Sequence, residues 1–168
     1  MTYLNLVNNV LRRLRETEVN SVQDTAYSKL IGDLVNDAKN TVENAWDWSA
    51  LRTTLTVTTQ ANVFNYSLTG SQNSIKELNV LNDTSNFVME YQTAHWFDSQ
   101  FLLSAPETGS PKYFTYNGVD SDGDTKIDLY PKPDGVYSIR FNCVLRNIEL
   151  SGDSDKLEIP SAPVIHLA

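Results

Sequence analysis

Asp120, Asp122, Asp124 and Asp128 crowd one short stretch around Gly123. Closely spaced carboxylates suit calcium, which wants about six to eight oxygen ligands. The spacing departs from a calcium loop, because the glycine precedes the third aspartate instead of following it and Pro131 stands where a bidentate glutamate should close it. The plainer reading is a tight turn between strands, since Asp and Gly tolerate positive φ and Asp side chains cap turns. His95 and His166 lie in no zinc-ligand spacing. Cys143, the only cysteine, sits in an apolar run and reads as a small buried hydrophobe. No nucleophile elbow, phosphate loop or dinucleotide fingerprint occurs. The acids are scattered, so a carboxylate hydrolase has nothing specific behind it. The sequence predicts no catalytic residue, no cofactor and no metal site, with the four aspartates as a weak calcium candidate.

These residues need a scaffold, and the bulk numbers allow one. A chain of 168 residues, 40% hydrophobic and 20% charged, suits one domain, or one domain with a lobe, and a real core. The net charge is −8, with the acidic excess mainly after Leu51. Such a surface does not neutralise phosphates, so tight or sequence-specific nucleic-acid binding is not expected; an acidic wall along which DNA slides stays open. No run approaches the roughly 18 apolar residues of a membrane span. The N-terminus lacks a basic segment followed by an apolar one, so no signal peptide is read and the protein is expected to stay soluble in the cell that makes it.

Thr2 to Arg15 reads as a helix with Thr2 as N-cap. Leu4, Val7, Leu11 and Leu14 share a face, with Tyr3 and Val10 beside them. Arg12, Arg13 and Arg15 fall at its end, where the helix dipole favours cations; the functional alternative is a basic patch for a partner protein or DNA. A second helix is expected from about Thr25 to Trp48. Its stripe of Tyr27, Leu30, Ile31, Leu34, Val35, Ala38, Val42, Ala45 and Trp46 is expected to pack into the core. The pair predicts a helical lobe over 1–50.

From Leu51 the texture is β. Residues 52–59 and 62–68 suggest a hairpin, followed by strands over 75–81 and 87–91. A short helix over 93–103, a loop over 105–111, strands over 112–117 and 125–130, and a turn over 131–135 come next. A long strand over 136–145 alternates, with Val136, Ser138, Arg140 and Asn142 on one phase and Tyr137, Ile139, Phe141 and Cys143 on the other, and 157–159 suggests a last short strand. The β lobe is expected over 51–160. Ser161 looks like the N-cap of a further helix, and the pattern stops at Ala168 as it begins, as it would in a longer product. Segregated elements argue α+β: a helical hairpin or bundle plus an antiparallel β lobe, sandwich or barrel-like, with a short inserted helix and a C-terminal helix from about 161.

Three stretches carry a resemblance: Tyr3 to Arg15, Leu30 to Arg52 with its Trp46-x-Trp48 helix end, and Ile127-Asp-Leu-Tyr-Pro-Lys-Pro-Asp-Gly135. In that order they resemble the head-to-tail connectors (adaptors) of tailed phages, of the tail tubular protein A type. The resemblance implies a virion structural protein in the neck, present in the host cytoplasm during assembly. It implies a homo-oligomeric ring, commonly of about twelve subunits, closing through heterologous contacts. Its partners would be the portal and a downstream tail or nozzle protein, with DNA passing through the channel and no membrane contact. A C-terminal helical segment that grips the portal in such families is mostly lacking here. Interface candidates are Arg12, Arg13 and Arg15 on the helical side. On the β tips they are Asp122, Gly123 and Asp124, and Lys132 and Asp134. Two alternatives remain: a tail stopper or terminator ring, and a β-rich calcium- or carbohydrate-binding module of a tail fibre.

Overall fold

A computed structural model describes residues 1–102 and 105–168, so Leu103, the expected end of the short helix, lies outside the described residues. The fold is α+β. The chain forms two compact units, Met1–Leu51 with Arg146–Ala168, and Arg52–Leu145. The β unit is thus inserted into the helical unit. Residues 146–160, which texture alone places in the β lobe, cluster with the helices.

The helical unit contains α1 (Tyr3–Arg13), α2 (Ala26–Ala45) and α4 (Ser161–Leu167), each packed on the other two. A 3-10 turn spans Ser49–Leu51. The Thr2 hydroxyl caps α1 by accepting from the Asn5 N–H. Thr25 caps α2 in a reciprocal box with Ser28. Pro160, not Ser161, holds the N-cap position of α4, without a side-chain cap. Helix α1 buries Tyr3, Leu6, Val7, Val10 and Leu11, so its inner face is turned from the expected one. Leu14 lies past the last turn and is half exposed.

Residues 157–159 form no strand. Leu157 and Ile159 are buried in extended chain, and a single bridge joins Thr2 to Lys156. The loop before it seats the start of α1: the Tyr3 N–H donates to the Asp155 carbonyl (2.8 Å) and the Leu4 N–H to that of Asp153 (3.2 Å). These are first-turn donors that no intrahelical carbonyl can satisfy.

Gly32 marks the close approach inside this unit. A Cβ there would collide with the Tyr3 hydroxyl and lie 2.9 Å from Val22 Cγ1. Helix propensity alone favours Ala over Gly by about 1 kcal/mol. Overpacking costs about 1–3 kcal/mol and wins here, because both neighbours are buried. Gly32→Ala is expected to lower the urea midpoint rather than raise it.

The β unit is a sandwich of two four-stranded sheets. One has the order β1 (Arg52–Thr58), β10 (Ser138–Leu145), β3 (Ile75–Asn82), β4 (Phe87–Val88). The other has β2 (Asn65–Ser67), β8 (Thr125–Tyr130), β7 (Tyr113–Val119), β5 (Glu90–Tyr91). All pairs in them are antiparallel except β5–β7, and β6 (Thr108–Gly109) and β9 (Lys132–Pro133) add a small parallel pair. The core draws Val57, Val80, Ile139 and Phe141 from the first sheet and Phe114, Ile127 and Leu129 from the second, closed by Leu68 and Met89.

Two expectations fail on topology. β1 and β2 form no hairpin and lie in different sheets. The strand expected over 87–91 is broken at buried Met89, where the chain passes from one sheet to the other. The alternation of β10 holds: Ile139, Phe141 and Cys143 face inward. Helix α3 (Ala94–Leu102) buries only Phe97; Trp96 packs on Tyr113 (5.1 Å between centroids) and Phe101 stacks on Phe64 (4.4 Å).

Candidate functional site

The acidic stretch forms the β7–β8 turn and the start of β8, and the carboxylates of Asp120, Asp124 and Asp128 accept hydrogen bonds from the protein itself. Asp120 Oδ1 accepts the N–H groups of Asp122 and Asp124, both at 2.9 Å. The Ser67 hydroxyl above all, then these backbone donors and Lys126, hold the Asp120 carboxyl below its usual range. Asp124 accepts the N–H groups of Gln72 and Gly70, both at 3.0 Å, tying the 68–72 loop to the turn. Gly123 supplies the left-handed residue, φ 86°. Asp128 is buried between the amides of Asn65 and Asn117. Its carboxylate therefore points away from a shared ion site. Among the described residues no group of three or more His, Cys, Asp or Glu is placed to hold a metal.

The other candidates are dispersed. Arg12 reaches Asn9 (2.6 Å) and pairs with Glu18 (3.3 Å) on the surface. Arg13 lies 3.1 Å from the His166 ring, and Arg15 sits exposed at φ 63°. Lys132 belongs to β9, and its N–H donates to the Glu107 carbonyl. Asp134 accepts from the Tyr137 hydroxyl. Of the β-tip candidates, Asp122 is exposed, whereas Asp124 braces a neighbouring loop. His95 is exposed on α3. Cys143 is buried, and burial pushes its thiol up to about 11, away from the reactive thiolate.

Two features escape sequence reading. The first is a polar row inside the helical unit. Asn36, Lys39 and Glu43 follow one another along α2 and bind the main chain of 147–150. Asn36 donates to the Leu150 carbonyl and accepts its N–H, both at 3.0 Å. Lys39 Nζ donates to the Asn147 carbonyl (2.9 Å) and to Glu43 Oε2 (3.2 Å), and Glu43 accepts the Asn147 N–H (3.3 Å). The Lys39–Glu43 pair is fully buried. Such side chains act as a substitute strand edge for an otherwise unpaired segment. The i, i+3, i+7 spacing was the available signal.

The second is an apolar strip on the outside of α2. Tyr27, Leu30 and Leu34 are 45%, 52% and 39% exposed, and Trp46 at the helix end is 69% exposed. Sequence periodicity assigns all four to the core. Of the same expected stripe, Ile31, Val35, Ala38 and Val42 are the members that reach the core. Trp48 turns inward, and its indole N–H donates to the Val42 carbonyl (2.9 Å) in the last turn of α2. A groove of about 430 Å³ beside Tyr27 is lined by Leu11, the 16–20 loop and Asp24.

One electrostatic consequence is local to the 151–155 loop. Asp155 Oδ2 accepts the N–H groups of Ser151 and Gly152, both at 2.8 Å, which hold its carboxyl below the usual range. A depressed folded-state value stabilises above the unfolded one, near about 3.9, and is lost as pH falls through the folded value. Asp155→Asn is therefore expected to lower the melting temperature at pH 7 and to flatten its fall below about pH 4, read from thermal melts across that range.

A profile of the SU10 adaptor protein family matches residues 1–168, the whole chain. The chain belongs to that family of phage adaptors and is a structural component of the virion. No curated protein matches it. No helix among the described residues is long and apolar enough to cross a membrane.

Proposed function

We propose that this adaptor is a non-catalytic ring subunit of the head-to-tail connector, of the tail tubular protein A type. About twelve copies would close the ring, since a heterologous contact with the right rotation closes on itself. The ring joins the portal to the downstream tail or nozzle protein and surrounds the DNA path. The observation that carries this reading is the match to an adaptor family over the whole chain. The net charge of −8 supports a channel wall that repels the DNA backbone and leaves it free to slide. The apolar positions on α2 support lateral contacts, since soluble monomers rarely expose contiguous apolar surface.

Single-particle electron microscopy of native virions tests it. Density for this fold as a ring between portal and tail is the expected result and counts the copies. Density confined to a peripheral fibre would overturn the connector role.

A further inference from the structure

We propose that the outer face of α2 seats a second copy of this chain, through the basic end of that copy's α1. The inference rests on the ring reading and assigns the surfaces that close it. Tyr27, Leu30 and Leu34 stand on one side of α2 at i, i+3 and i+7, all well exposed. Asp33 and Asp37 are exposed beside them, one turn apart, and form no ion pair among the described residues. The face is therefore apolar and bordered by the two carboxylates of Asp33 and Asp37, against the single exposed cation of Lys29 one turn before Asp33. Its complement is an apolar side chain between cations.

The chain carries that complement at the end of α1. Leu14 is 50% exposed and stands between Arg13 and Arg15, both exposed. The two surfaces share no residue and have opposite charge. A contact between unlike surfaces is heterologous, so each copy keeps one of each free for its neighbours, as a closed ring requires. Complementary potentials also fix register and disfavour pairing of like faces.

Cysteine cross-linking tests the contact, because the only natural thiol, Cys143, is buried and inert. Virions are prepared with Leu14→Cys, with Leu34→Cys, and with both, then oxidised and run on denaturing gels. The double variant is expected to give a ladder of covalent multimers, and each single variant none. Adding Asp33→Lys and Asp37→Lys should abolish the ladder, and adding Arg13→Glu and Arg15→Glu on top should restore it. Virions that hold the ring in the neck but give only monomer from the double variant would overturn this interface and leave the connector reading standing. Dimers from Leu34→Cys alone would overturn it too, by showing an isologous contact. Absence of the chain from the neck is the separate failure of the connector reading.

Discussion

Replacing Lys39 with Met is expected to destabilise the helical unit by about 3–5 kcal/mol, the usual cost of breaking a buried ion pair from one side. The ammonium is 1% exposed and the Glu43 carboxylate 0%. Removing Lys39 leaves that carboxylate in a site water does not reach. Glu43 Oε1 already has no hydrogen-bond partner among the described residues, so little else can stabilise the charge. The Asn147 carbonyl loses its donor as well. Lys39→Met with Glu43→Leu removes both charges, and its cost should fall well below the sum of the single variants. It should stay above zero, because both peptide groups of Asn147 lose their partners, each worth about 1–3 kcal/mol. Urea denaturation followed by the helical circular dichroism signal measures all three. An additive double variant would show that the pair does not act as a unit.

Phe141→Ala should cost the β unit about 3–5 kcal/mol, the range for emptying a buried aromatic site. Phe141 is 0% exposed, lies 5.7 Å edge-on from Phe114, and sits on the strand between β1 and β3. Its neighbours across the ladder are Leu55 and Val80, and backbone pairing on both sides prevents collapse into the hole. Phe141→Leu keeps most of the volume and should lose less than half as much. The readout is the urea midpoint of the β signal, with unchanged slope. A loss under about 1 kcal/mol for Phe141→Ala would mean the two inner faces can close on the space.

Much of the local structure is legible in the residues because local rules decide it. The Thr2 cap, the alternation of β10 as far as Cys143 and the Asp-Gly turn each depend on neighbours in sequence, and each is where the pattern puts it. Distant pairings are not written locally. Arg52–Thr58 and Asn65–Ser67 look like a hairpin because both are strands close in sequence, yet each pairs with residues some sixty or more positions away. Met89 is one apolar residue among others until both sheets are in place.

The candidate site was less legible, for a physical reason. Hydrophobic periodicity reports which side chains share a helix face, not how wide a stripe of that face the core covers. Leu30 and Ile31 contribute equally to the stripe of α2, but one is 52% exposed and the other 2%. The polar row Asn36, Lys39, Glu43 misleads in the opposite sense, since polar side chains at helical spacing look like a solvated face and here line the interior. The aspartates around Gly123 drew attention through their density, yet Asp120 accepts from its own turn, Asp124 from the 68–72 loop and Asp128 from Asn65 and Asn117, partners mostly distant in sequence.

The insertion of the β unit sets the order in which this protein is made. The helical unit is split, and its clasp between Asn36 and Leu150 spans 114 positions. Emerging from the ribosome, α1 and α2 must wait for the tail of the chain to arrive. A flexible intervening loop would penalise that closure by about 0.6 kcal/mol for every doubling of its length. A folded β unit removes most of the penalty, because Arg52 and Val144, near its entry and exit, are paired across β1 and β10. The β unit thus works as its own assembly jig. Its last strand, β10, ends at Leu145, so the β unit can close before Leu150 is made and hold the two strands of chain side by side for the helical unit, which carries the proposed ring contacts. On the proposed ring reading, the surface that joins neighbours is complete only after synthesis has passed residue 150, which would guard the nascent chain against joining a neighbour too early.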